Sequence, residues 1–293
     1  MPEFVKILKE HCSPLQPVPT EASASLQAIS GIRAALFDIY GTMLVSGSGD
    51  VGTVATAPGS AVEAAFAHLG VRLQTTGESL AGLLIETIQA SHARASEQGV
   101  EYPEIDIVEI WRETVAAAQD RGWLATDVPL SDYERLALEY EVRANPVWTM
   151  PGLADCLKRL VAQQLHLGII SNAQFFSLPI FPAITGATVV EIGFDPKLLF
   201  LSYQYGQAKP GDFLFDLARD SLSRRGISPG EVIYIGNDML NDILPAQRAG
   251  FRTALFAGDA RSLRLRDGDD RVKAIRPDII VTTLSELADC LSD

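Results

Sequence analysis

The chain has 293 residues, enough for two domains or for one domain that carries a large insertion. Its apolar fraction of 47% supplies an ordinary globular core and excludes a disordered chain. A formal net charge of −13 argues against nucleic acid or an anionic membrane as partner, so an anionic substrate has to be drawn in by a local cation.

Residues 1–30 open with a short helical pattern, "PEFVKILKEH", and run on into a Pro/Ser/Thr-rich stretch that reads as an extension and linker. They contain no apolar signal core, and no later run approaches a membrane span, so the expected location is the cytoplasm. A first strand is predicted at 33–37, "RAALF", and Asp38, Tyr40, Gly41 and Thr42 follow it at once. The glycine-rich link after them holds "GSGDVG" at 47–52, which fits GxGxxG. Nucleotide binding needs those glycines to open a helix; here β-branched residues and Pro58 follow, so a flexible hinge is expected instead.

From 58 to 145 the pattern is helical only, with stripes at Leu80/Leu84/Ile88, at Val108/Trp111/Val115/Ala118 and around Leu136 and Tyr140. A block of that length is too long for one crossover and reads as an inserted helical domain. Strand-sized apolar runs then recur at 165–170, 198–203, 231–235, 252–256 and 278–282, without the alternation of a half-exposed sheet. Helical patterns separate them: a stripe of Leu153, Leu157, Leu160 and Val161, a segment at about 212–225, and another at 241–249 closed by Gly250. Residues 31–57 and 146–293 are therefore expected to form a doubly wound, mainly parallel, Rossmann-like α/β core, interrupted by an all-helical domain at 58–145. Cys12, Cys156 and Cys290 are scattered, and the four histidines show no ligand spacing, so neither a disulfide framework nor a zinc site is indicated.

In an open parallel sheet, ligands bind beyond the carboxyl ends of the strands. The first strand places Asp38, Tyr40 and Thr42 there. The second, "LGIISNAQ", adds Ser171 and Asn172, and the third, with "YGQAKP", adds Lys209. The fourth, "VIYIGNDMLNDI", adds Asp238, Asn241 and Asp242. Taken singly, Ser171, Asn172 and Asn241 could be helix caps, Asp238 and Asp242 helix N-terminal charges, and Asp38 a structural partner of Lys209. Four tips in register point to one shared ligand.

In "DIYGT", "IISNAQ", "AKP" and "GNDMLND", in that order between about residues 33 and 256, the sequence resembles the haloacid dehalogenase superfamily. Phosphatases of that family carry DxDGT, a Ser/Thr on the second strand, a lysine and a GDxxxD-type acidic motif, with a cap inserted between the first two. The resemblance implies a nucleophilic Asp38 that forms a covalent aspartyl intermediate. It also implies Mg2+ held by the Asp38 carboxylate, the Tyr40 carbonyl and Asp238, with Asp242 nearby. Ser171, the amide hydrogens around Asn172, and Lys209 would neutralise the phosphoryl oxygens, and Thr42 belongs to the same catalytic set through the first motif.

Tyr40 stands where those phosphatases have a second aspartate, the group that protonates the leaving group and then activates water. A phenol of pKa near ~10 is a poor base at neutral pH. The same D-x-Y-G-T occurs in the 2-haloacid dehalogenase branch, which works without metal and resembles "SSNAWD" at the fourth strand. Here that strand brings two carboxylates toward Asp38, an arrangement that like-charge repulsion disfavours unless a cation lies between them. Only Arg72, Arg94 and Arg112 offer themselves as a cap arginine of the dehalogenase kind. The expected function is a Mg2+-dependent phosphohydrolase acting on a small phosphorylated metabolite. The alternatives are a haloacid dehalogenase and a weakly active or non-catalytic phosphate-binding relative. Trp111, Arg112, Trp123 and Trp148 are candidates for a cap pocket, although aromatic residues at helical spacing are more often core.

Overall fold

A computed structural model describes residues 2–48 and 58–291; most of the glycine-rich link, including the end of the GxGxxG match, lies outside them. Six strands form one parallel sheet: β1 (Ala34–Phe37), β4 (His166–Ser171), β5 (Phe194–Leu201), β6 (Val232–Gly236), β7 (Arg252–Phe256) and β8 (Ile279–Val281). Their order is β5-β4-β1-β6-β7-β8, so the chain starts at the centre and winds outward to both edges. Two further short strands, β2 (Leu44–Ser46) and β3 (Val147–Thr149), pair antiparallel to each other.

Successive side chains of a strand face opposite ways, and β1 shows both faces covered. Ala35 and Phe37 pack with α6 (Leu153–Ala162), α11 (Leu284–Cys290) and α7 (Ile180–Thr185). Ala34 and Leu36 pack with α9 (Phe213–Ser223) and α10 (Leu244–Arg248) on the other side. A short α8 (Val189–Ile192) precedes β5. This is the doubly wound α/β arrangement, with β1 at the point where the winding reverses and a ligand crevice is expected.

Between β2 and β3 the chain builds α2 (Gly59–His68), α3 (Gly77–Glu97), α4 (Ile107–Asp120) and α5 (Tyr133–Ala144), which share a core of their own around Phe66, Leu84, Trp111 and Leu136. Trp111 is fully buried there, edge-on to Phe66 and Tyr140, and is core, not pocket lining. The two crossings into and out of this helical cap are tied together. Besides the β2–β3 pairing, Asn145 accepts from Ser46 Oγ at 2.8 Å and donates to Glu141 at 3.2 Å, and the Gly47 N–H donates to the Pro146 carbonyl at 2.8 Å.

Residues 12–30 are not a free linker. Val18 donates to Asp259 at 3.0 Å, Thr20 to the Ala257 carbonyl at 2.7 Å, and Ser25 pairs with Ile280 at the edge of the sheet. The apolar face of α1 (Pro2–His11) packs Ile7 and Leu8 into the core cluster, against α5 and α7. No described helix is long and apolar enough to cross a membrane.

Candidate active site

The tips of β1, β4 and β6 and the loop after β5 meet in a cavity of about 70 Å3, lined by residues that include Asp38, Lys209, Asp238 and Asp242. Asp38 continues β1, its N–H still bonded to the Ile235 carbonyl at 2.9 Å, which fixes its backbone to the neighbouring strand. Behind it the chain turns sharply at Gly41 (φ +78°), where a Cβ would lie 2.5 Å from that of Ser262. Only glycine suits both the left-handed φ and the contact.

Lys209 is the hub. Its ammonium donates to Asp38 Oδ1 at 2.8 Å, to Asp242 Oδ1 at 2.5 Å and to the Tyr234 hydroxyl at 3.1 Å, with all four side chains buried. Burial works to lower its pKa, but the charges of Asp242 and Asp38 outweigh that and hold the ammonium protonated, with a net upward shift. Burial likewise pushes the Asp242 carboxyl upward. Lys209 opposes that rise, which leaves the carboxyl at about 7, and the N–H groups of Asn237 and Asp238 also bond to it at 2.9 Å each. The backbone of Lys209 is clamped by Asn172, whose Oδ1 accepts from the Lys209 N–H at 2.8 Å and whose Nδ2 donates to its carbonyl at 3.1 Å. The cap reaches the same loop: the Ala208 N–H donates to the Tyr102 carbonyl at 2.8 Å, and Ser202 Oγ to Glu104 at 2.6 Å.

Asp38, Tyr40, Asn172, Lys209, Asp238, Asn241 and Asp242 all line the cavity; Thr42 and Ser171 do not. Thr42 is buried and donates to Asn237 Oδ1 at 3.0 Å, and Ser171 Oγ, also buried, faces the Asn172 carbonyl at 3.4 Å. The Asn172 side chain is spent on positioning Lys209. The Tyr40 hydroxyl turns into the core and shares a 2.9 Å hydrogen bond with Ser177. Burial, reinforced by Glu141 and Asp38, raises it far above the ordinary phenol value, so it can serve neither as base nor as a ready acid. Arg94 and Arg112 pair with Glu113 and Glu109, Arg72 is exposed, and none of the three lines the cavity.

Asn237, Ser262 and Arg264 line it as well: Asn237 lies in the fourth motif but is not singled out there, and reasoning confined to four strand tips passes over Ser262 and Arg264. The signal was present: the loop after β7, "AGDARSLRLRDGDD", springs from a fifth strand tip. Its backbone adds to β6, with the Met239 N–H donating to the Arg264 carbonyl and the Arg264 N–H to the Asn237 carbonyl, both at 2.9 Å. From this loop Arg266 grips Asp238, donating from Nε to both carboxylate oxygens at 3.1 and 3.2 Å and from an Nη to Oδ2 at 2.5 Å. Asp238 Oδ1 also caps the turn that follows, accepting from the Leu240 and Asn241 N–H groups at 2.8 and 3.2 Å. That turn is wide, a π-type Met239–Ile243, where the sequence pattern runs a regular helix from 241 to 249.

The expected metal set does not fit Mg2+ as it stands. Among the described residues no group of three or more His, Cys, Asp or Glu side chains is arranged to hold a metal ion. Asp242 gives its oxygens to Lys209 and two backbone amides, and Asp238 gives both of its oxygens to Arg266 and the cap. A carboxylate has about four lone-pair positions, and on Asp238 these are taken.

Comparison with known proteins bears on the fold and on one segment of the chain. Residues 207–287, which run from Lys209 past the β6 carboxylates to β8, match the HAD-hydrolase-like family. Over 145 residues the chain is 26% identical to a ribulose-1,5-bisphosphate 5-phosphatase of Halopiger xanaduensis (strain DSM 18323 / JCM 14033 / SH-6). That match takes in 49% of this chain and 56% of the relative, so it spans little more than half of the relative's length. Among solved structures, a 2-haloacid dehalogenase from Pseudomonas syringae pv. Tomato DC3000 is 19% identical with a TM-score of 0.55, covering 88% of this chain and 97% of that one. A dehalogenase with an intermediate complex is also 19% identical, with a TM-score of 0.50 and coverage of 90% and 99%. At such identities the likeness is one of fold. Residues 207–287 thus match a hydrolase family of the HAD type, and the chain as a whole shares the fold of these dehalogenases.

Proposed function

We propose that the chain is a phosphohydrolase that releases phosphate from a small phosphorylated metabolite through an aspartyl-phosphate at Asp38. The observation that carries this reading is the ammonium of Lys209, fixed 2.8 Å from Asp38 Oδ1 in a small polar cavity. It pairs with the attacking carboxylate and stands beside the oxygens of the group under attack. The likeness to a sugar-bisphosphate phosphatase supports the same class of substrate. In the first step an Asp38 oxygen bonds to phosphorus as the bond to the ester oxygen breaks. In the second, water attacks phosphorus and frees the carboxylate. With the Tyr40 phenol unable to donate, the leaving oxygen takes its proton from water, which favours substrates with good leaving groups. The cavity is small and lined by polar side chains, which suits a phosphoryl group better than a bulky organic one.

One observation favours a second reading, hydrolysis of a carbon–halogen bond. Lys209 and Arg266 already offset two of the rim's three carboxylates without a metal, and halide leaves without a proton. A panel of small phosphoesters and 2-haloacids, assayed with Mg2+ and with chelator, separates the two. Phosphate release from the phosphoesters is the expected result; halide release from the 2-haloacids, indifferent to chelator, would replace the phosphatase reading with the dehalogenase one.

A further inference from the structure

The backbone of Lys209 is placed by two loops that leave the sheet at neighbouring points. Asn172, which clamps it, follows the end of β4, and residues 202–209 follow the end of β5, the edge strand. Beyond those ends the cap supplies their partner, in residues 102–107 between α3 and α4. Pro103 pairs antiparallel with Gln207, the Ala208 N–H donates to the Tyr102 carbonyl at 2.8 Å, and the Glu104 N–H donates to the Gly206 carbonyl at 3.1 Å. Side chains extend the contact to the other loop. Glu104 Oε2 accepts from Ser202 Oγ at 2.6 Å, and Ser202 Oγ accepts from the Ala173 N–H at 2.9 Å. Gln174 donates to the Ile105 carbonyl at 2.9 Å and accepts from the Ile107 N–H at 3.1 Å. Both Ser202 and Gln174 are buried.

We propose that Glu104 is a positioning residue for Lys209: through Ser202 and Ala173 its carboxyl group locks the loop that carries Lys209 to the loop that carries Asn172. This role rests on the reading that Lys209 serves the attack by Asp38. A carboxyl group taken out of water is costly unless its oxygens are bonded. Glu104 meets that condition, with the Ile105 N–H on Oε1 at 2.9 Å and Ser202 on Oε2. Burial raises it above the ordinary carboxyl value, and those same two bonds oppose the rise. Without Glu104 the Ser202 hydroxyl keeps only a 3.4 Å approach to the Ala173 carbonyl, so the junction between the loops loosens. None of residues 102–107 is among those that line the cavity, so this part of the cap acts through the core loops and not by touching substrate. Its loss should therefore fall on the rate of the chemical step and spare substrate binding.

The test is steady-state kinetics of the full chain on p-nitrophenyl phosphate, comparing wild type with E104A, E104Q, S202A and the double variant E104A/S202A, each checked for an intact fold by circular dichroism. Amide hydrogen exchange of residues 171–175 and 205–211 is followed in the same proteins. E104A is expected to lower kcat about ten- to a hundredfold with KM within about threefold of wild type, the effect of displacing a catalytic group by roughly an ångström. S202A is expected to match it, and the double variant to be no worse than either single change, because both cut the same link. E104Q, which keeps one acceptor oxygen, is expected between wild type and E104A, and it carries the test should E104A misfold. Exchange in both segments should quicken in E104A and stay as in wild type for the cap helices α2 and α5. Wild-type kcat in E104A and E104Q, additive losses in the double variant, or a raised KM at unchanged kcat overturns the positioning role and leaves the phosphatase reading intact. Should wild type release no phosphate, the phosphatase reading falls by itself, and exchange decides the other question: unchanged exchange at 171–175 and 205–211 in E104A overturns the positioning role.

Discussion

Lys209 and Arg266 each bring a positive charge to a carboxylate of the same rim, but their settings differ. Lys209 sits 3% exposed between Asp38 and Asp242, with a tyrosine hydroxyl and an asparagine clamp fixing it in place. Arg266 reaches Asp238 from a surface loop and remains one-third exposed. A buried pair is costly to break, because the orphaned charge stays desolvated. The Arg266–Asp238 pair meets water on its arginine side only, since Asp238 is buried. One half of the rim is thus held wholly inside the core around Asp38, and the other is gripped from a loop at the surface.

The largest expected effect comes from the fixed half. Asp38→Asn keeps the volume but removes the nucleophile, and should lower turnover by about 10⁴-fold or more in steady-state assays. Lys209→Met should lower kcat by about 10²- to 10³-fold. It should also cost about 3–5 kcal/mol in denaturant unfolding, because Asp38 and Asp242 are left buried together without their cation. If Lys209→Met unfolds like wild type, the hub is not the structural centre drawn here.

Smaller effects probe the floor between cap and core. Burial lifts Glu141 from 4.5 to about 7, against a hydrogen bond from Asn145 that lowers it. Between those values the native state holds a proton that the unfolded chain releases, so stability falls as pH rises from about 4.5 to 7 and is flat above. The loss should total roughly 1–3 kcal/mol, and Glu141→Gln should flatten the slope in melts taken across that range. Smallest is Tyr40→Phe, which removes the bond to Ser177 and should cost about 1 kcal/mol while leaving the shape of the pH–rate profile unchanged. A profile that loses a limb would show that the phenol takes part in proton transfer.

The sequence was most readable where burial imposes a simple pattern. The runs of β1, β4, β6, β7 and β8 stand out because both faces of a central parallel strand are apolar. The third run was less clear: β5 begins at Phe194, four residues before the apolar stretch, because Asp195, Pro196 and Lys197 hide its start. The strands β2 and β3, three residues each, are too short to leave a period. Among the site residues, Asp38, Lys209, Asp238 and Asp242 were legible from the rule that ligands gather at strand ends. What each carboxylate is bonded to was not, because the partners of Asp238 and Asp242 come from backbone amides and from a distant loop. Arg266 lies in a charged stretch that reads as solvated surface, and the N-terminal arm that steadies its base reads as a linker. Their roles exist only in the fold.

On the phosphatase reading, the carboxylate of residue 38 takes up phosphorus during turnover. Protein mixed with a reactive small phosphoester in the presence of Mg2+, quenched in acid within the first turnovers and digested, can be read by mass spectrometry. A single phosphoryl group on the peptide that carries Asp38, absent from Asp38→Asn, is the predicted result. An unmodified Asp38 during active turnover, or an ester at that residue formed only from a 2-haloacid, would contradict it.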